Sequence, residues 1–146
     1  MPHFSTAAGF EQHYVDEGPR DGEALVLLHG EPTWGYLYRN MIPGLAKKYR
    51  VIVPDHMGFG KSATPQDREY TLRSHVKNLE SLVDELNRTG ITSVGQDWGV
   101  PIRGAFTART PEKVQRLFLM NTVLGYGGGQ ASGGKTPWFQ WIEKHA

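Results

Sequence analysis

The 146-residue sequence predicts an α/β fold, a mostly parallel sheet with helices on both faces. Three observations predict it. Continuous apolar runs recur along the chain, each stopping at a short turn signal. Segments of helix length separate them. One run ends at Gly95-Gln96-Asp97-Trp98-Gly99, a pattern suited to a sharp strand-to-helix turn.

The first run, Ala24-Leu25-Val26-Leu27-Leu28, stops at His29-Gly30. It does not alternate, as expected of a strand buried on both faces. The second, Val51-Ile52-Val53, ends at Pro54-Asp55, the third, Ile91 to Val94, at the Gly95 turn, and the fourth, Val114 to Met120, at Asn121-Thr122. Leu72, Val76, Leu79, Val83 and Leu86 recur at helical spacing, with Thr71 as N-cap and Gly90 just past the end. Residues 34–49 read as a helix interrupted at Pro43, and Pro101 to Phe106 as part of another. Residues 10–17 alternate and predict an antiparallel edge strand before the parallel core. Residues 1–124 thus form a core unit. Residues 125–146 are a glycine-rich connector followed by an apolar segment with Trp138, Phe139, Trp141 and Ile142. The chain stops there, which suggests truncation, and the fourth strand would then be an exposed edge open to an oligomeric partner.

Composition excludes several classes. Sixteen Lys and Arg against fifteen Asp and Glu leave a formal charge of +1, so neither nucleic acid nor an anionic membrane is an expected partner. With no cysteine, disulfides, thiolate metal sites and Cys nucleophiles are excluded. The N-terminus carries neither a basic nor an apolar leader region, and a cytoplasmic location is expected. No cofactor or metal is expected. Gly58-Phe59-Gly60-Lys61-Ser62-Ala63 touches both the dinucleotide and P-loop patterns. Pro65 and a polar run follow where a helix N-terminus would have to stand, so the segment reads as a structural turn.

The Gly95–Gly99 segment has the form of a nucleophile elbow with Asp97 in place of the usual serine. That exchange changes the chemistry. A serine attacking an alkyl halide forms an ether that resists water, whereas a carboxylate forms an ester that water can cleave. A bare turn or N-cap role for Asp97 is the plain alternative. His29-Gly30-Glu31-Pro32-Thr33-Trp34 stands where an elbow of this kind draws one oxyanion-hole amide, making the backbone N–H groups of Glu31 and Trp98 the expected pair.

His29 to Trp34 with Tyr36-Leu37-Tyr38-Arg39, Pro54-Asp55 with Gly58 to Ser62, and Gly95 to Gly99 together resemble the haloalkane dehalogenases over roughly residues 10–125. The resemblance implies an α/β-hydrolase-type sheet whose C-terminal strands and most of whose cap are absent here. It implies a haloalkane substrate, water and a halide ion as partners. Asp97 would be the nucleophile and the Trp98 indole a halide donor, with Trp141, or else Trp138, as the second donor from the cap. Equally open is that those two tryptophans only fill a cap core. Two departures stand out. Val100 replaces a second elbow glycine and predicts a strained approach of strand and helix. No histidine matches the family's base, and Asn121 occupies an alternative position of the acid, so the chain is expected not to turn over. The rival readings are an epoxide hydrolase of the same fold, which needs cap tyrosines, and an inactive half-sheet.

Overall fold

The computed structural model describes residues 3–122, so the connector, Trp138 and Trp141 lie outside the described residues. Six strands form one sheet in the order β1-β2-β4-β3-β5-β6: β1 His3–Ser5, β2 Gln12–Glu17, β3 Ala24–Leu28, β4 Arg50–Pro54, β5 Ile91–Gln96 and β6 Val114–Met120. The last four are mutually parallel, and β1 and β2 join antiparallel. The α/β expectation is met, with the strands where the apolar runs put them.

The unbroken run of β3 divides between two cores because successive strand side chains point to opposite faces. Ala24, Val26 and Leu28 pack with Ile52 under α2 (Leu72–Glu85) and α3 (Gly99–Arg109), through Val76, Leu79, Leu82, Val83, Ile102 and Phe106. Leu25 and Leu27 pack with Val51, Val53 and Tyr38 on the other face. α2 begins as its sequence dictates. Thr71 accepts from the Ser74 amide at 3.2 Å while the Ser74 hydroxyl accepts from the Thr71 amide at 2.9 Å, a reciprocal cap. Its far end turns at Asn87, with φ 48°, ahead of Gly90 with φ 65°.

Two expectations are corrected. Residues 34–49 do not make one interrupted helix but a 3-10 turn at Gly35–Tyr38 and a four-residue α1 at Ile42–Leu45. Apolar spacing there reflects contact with the sheet. Tyr38 is fully buried and its hydroxyl donates to the Leu28 carbonyl at 2.8 Å. The alternating strand within 10–17 is β2, but it is not an edge: β1 lies outside it, paired His3 to Tyr14 and Ser5 to Gln12. The added strand explains why Gln12, His13 and Tyr14 are buried in succession.

At the other end β6 pairs only with β5 among the described residues, and Leu117, Phe118 and Leu119 are exposed. Arg103 of α3 ties this strand on. Its fully buried guanidinium donates through Nη1 to the carbonyl of Ser93 and, at 2.8 Å, to that of Phe118. Burial pulls its pKa down to about 10. No described helix is long and apolar enough to cross a membrane.

Candidate active site

Asp97 sits between the end of β5 and the start of α3 with φ 51°, a left-handed conformation that costs a non-glycine residue about 1–3 kcal/mol. The surrounding glycines make the turn sterically feasible. A Cβ on Gly99 would lie 2.3 Å from the Leu28 carbonyl oxygen, and one on Gly95 3.0 Å from that of Gly99. Val100, by contrast, is accommodated: its side chain is fully buried and α3 runs through it unbroken. The Asp97 carbonyl accepts from the Val100 amide at 3.0 Å and the Thr122 hydroxyl at 3.2 Å.

Across from it, the loop after β3 is held by one carbonyl. Gly30 O accepts from the Thr33 amide at 3.0 Å, the Thr33 hydroxyl at 2.8 Å and His29 Nδ1 at 2.9 Å. A trans peptide sets its carbonyl and amide on opposite sides. Pinning Gly30 O therefore aims the Glu31 N–H the other way, where it donates to Asp97 Oδ1 at 3.0 Å. Gly30 admits no side chain, since a Cβ would stand 2.3 Å from that of Asp97. The Glu31–Pro32 peptide is cis.

His29 is itself fixed from behind. Its Nε2 accepts from the His56 amide at 2.9 Å, which leaves the proton on Nδ1, and His56 Nε2 donates back to the His29 carbonyl at 3.0 Å. Burial is the main cause that lowers the pKa of His29, and that of His56 well below the usual histidine value. Both therefore stay neutral at pH 7, as these bonds require.

Asp55, at the end of β4, is fully buried. Its carboxylate accepts from the Gly35 amide at 2.7 Å, the Lys61 amide at 2.9 Å and His13 Nδ1 at 2.9 Å. Gly60, with φ 57°, passes so close that a Cβ would fall 2.3 Å from this carboxylate. The segment from Gly58 to Ser62 is thus the structural turn the sequence implied, and the next helix starts only at Leu72.

A cavity of about 440 Å³ opens beside the elbow, lined by Glu31, Phe59, Tyr70, His75, Trp98 and Ile102 among others. Trp98 is 47% exposed and forms part of that lining. The sequence-predicted Asp97, Glu31 and Trp98 come together here, whereas Trp141 and Trp138 lie outside the described residues. Sequence reasoning missed the His29–His56 pair and the presence of His75 in the cavity wall. The only hint was His56 directly following the Pro54-Asp55 motif. Among the described residues no group of three or more His, Cys, Asp or Glu could hold a metal ion.

Residues 23–144 match the family model of the alpha/beta hydrolase fold. A haloalkane dehalogenase of Psychrobacter cryohalolentis is 44% identical over 90% of this chain and 44% of its own length. A cis-3-alkyl-4-alkyloxetan-2-one decarboxylase of Xanthomonas campestris is 44% identical over 79% of this chain and 41% of its own. A tetrameric haloalkane dehalogenase structure from Paraglaciecola agarilytica superposes with a TM-score of 0.85 at 34% identity, over 99% of this chain and 49% of that one. The chain therefore spans less than half the length of these relatives.

Proposed function

The chain belongs to the α/β-hydrolase fold family, and from that premise we propose that it performs the alkyl-transfer half of hydrolytic dehalogenation. An Asp97 oxygen forms a bond to the halogen-bearing carbon as the carbon–halogen bond breaks. The halide leaves with the bonding electrons to the indole N–H of Trp98, with Trp141 as a second donor from a cap that begins in residues 125–146. Water then attacks the carbonyl carbon of the ester, and the amides of Glu31 and Trp98 hold the oxyanion until alcohol departs and the carboxylate returns.

One observation carries this reading: the Glu31 N–H reaches Asp97 Oδ1 at 3.0 Å beside a largely apolar cavity. The second step needs a base to take a proton from water. Among the described residues no histidine is hydrogen-bonded to Asp97, and on this reading the ester is expected to outlast its formation long enough to be weighed. Intact mass after incubation with 1-bromobutane tests the proposal. A single butyl adduct with an equivalent of bromide released, absent in Asp97→Asn, is the expected result. No adduct on a folded chain overturns it.

The similarity to the oxetanone decarboxylase supports a second reading, in which the same carboxylate opens a dialkyl β-lactone. Carbon dioxide release from such a lactone that depends on Asp97, with no bromobutane adduct, would favour it. Epoxide opening has less support. Tyr70 is the tyrosine among the described lining residues, and its hydroxyl already donates to the Pro65 carbonyl at 2.9 Å.

A further inference from the structure

The cavity beside Asp97 has a polar side that the chemistry above leaves unused. A row of rings leads from the buried His29, behind the Gly30 loop, to His56, His75 and Tyr70 in the cavity wall. His29 and His56 are 4.2 Å apart between centroids, His56 and His75 5.6 Å, and His75 and Tyr70 6.4 Å. The first two imidazoles are engaged with each other and with backbone, as described. His75 is different. It is half-buried in the cavity wall, and its buried Nδ1 has no hydrogen-bond partner among the described residues.

That orphan nitrogen fixes the tautomer. A buried N–H without an acceptor is rarer and costlier than a lone pair without a donor. The proton therefore sits on Nε2, and the polar group that His75 can offer to the cavity is an N–H donor. Burial lowers the pKa of His75, with the neighbouring His29 adding to the effect, so the ring is a neutral donor at pH 7. The cavity contains no lysine or arginine among its lining residues and has the Glu31 carboxylate at its edge. Such a wall discriminates against an anionic substituent and suits an uncharged acceptor.

We propose that His75 is a specificity-determining residue, donating a hydrogen bond from Nε2 to a neutral oxygen or nitrile carried by the haloalkane that Asp97 attacks. The inference rests on the proposed alkyl transfer. It selects the substrate class as oxygenated or cyano-bearing haloalkanes over plain hydrocarbons and haloacids.

The test compares rates of adduct formation with two probes of equal chain length, 1-bromohexane and 1-bromo-3-ethoxypropane, followed by intact mass. An ether oxygen on the third carbon could assist loss of bromide only by closing a strained four-membered ring, and the rates with free acetate correct for the inductive effect that remains. The natural chain is expected to react about three- to tenfold faster with the ether, as one net hydrogen bond allows. His75→Phe keeps the ring packing and should lose the preference while still forming the hexyl adduct. His75→Gln, which retains an N–H donor, should recover part of it. Equal rates for the two probes in the natural chain, or an undiminished preference in His75→Phe, overturn the role of His75 and leave alkyl transfer intact. Absence of both adducts in the folded natural chain overturns alkyl transfer and this inference with it.

Discussion

Asp55 and Asp97 stand at equivalent places, each just past the end of a parallel strand on either side of β3, yet their carboxylates face opposite tasks. Asp55 is fully buried and accepts three hydrogen bonds, from Gly35, Lys61 and His13, which join the 3-10 turn, the Gly58–Ser62 turn and β2. Asp97 accepts a side-chain bond only from the Glu31 amide among the described residues and sits beside a cavity in a strained backbone conformation. The lesson is about unused valence. A carboxylate whose lone pairs are all directed at fixed donors is a structural joint, and one held by a single donor at a cavity can still attack.

Breaking the joint should give the largest effect on stability. Asp55→Ala strands the amides of Gly35 and Lys61 and the His13 ring N–H. Each unsatisfied buried donor costs about 1–3 kcal/mol, so a loss on the order of 4 kcal/mol is expected. Measured by urea unfolding, this would be a large part of the stability typical of a small protein. Asp97→Gly should do the reverse, since glycine adopts φ 51° without the strain, and gain about 1 kcal/mol while abolishing the adduct. If both substitutions destabilise alike, the division of labour between the two aspartates is wrong.

Gly30→Ala sharpens the comparison from the side of the donor. The added methyl would overlap the Asp97 side chain, and the loop must retreat, carrying the Glu31 amide with it. Overpacking of this kind costs about 1–3 kcal/mol. The rate of butyl-adduct formation should fall by about 10²-fold, as removal of a positioned donor does elsewhere. A variant that unfolds no more easily and reacts at the natural rate would show that the Glu31 contact does not orient the nucleophile.

The difference between the two aspartates was legible in part. The elbow shows in five consecutive residues because glycine, acid and glycine at that spacing have few other uses. β3 shows in a run of five apolar residues, and the start of α2 shows in Thr71. Each of these signals is local. The role of Asp55 is not, since its partners lie at His13, Gly35 and Lys61 and only folding brings them to one point. For the same reason the sequence hid the His29–His56 pair, residues separated along the chain by all of β4 and the turns before it. Arg103 was hidden differently. A positive side chain in a short helix reads as surface, but the backbone carbonyls of Ser93 and Phe118 give it buried acceptors. β1, three residues long, is held chiefly by its pairing with β2 and left no periodic pattern to detect.

The histidine pair offers the smallest and most selective perturbation, because pH alone can apply it. Folding holds His29, His56 and His75 below the usual histidine pKa, chiefly through burial. The unfolded chain takes up protons near pH 6.5, where the folded chain does not, so it binds more protons over the range below that value. The contribution of these groups to stability is therefore fully present above about pH 6.5 and declines as the pH falls towards their folded values. Each contributes a slope of up to about 1.4 kcal/mol per pH unit. Replacing His56 with Gln removes one titrating group but keeps an N–H that can reach the His29 carbonyl. Its stability between pH 6.5 and 5 should fall less steeply than that of the natural chain, by about one proton's worth, in urea titrations at matched ionic strength. Equal slopes for His56→Gln and the natural chain would mean that His56 takes up its proton without disturbing the loop that aims Glu31 at Asp97.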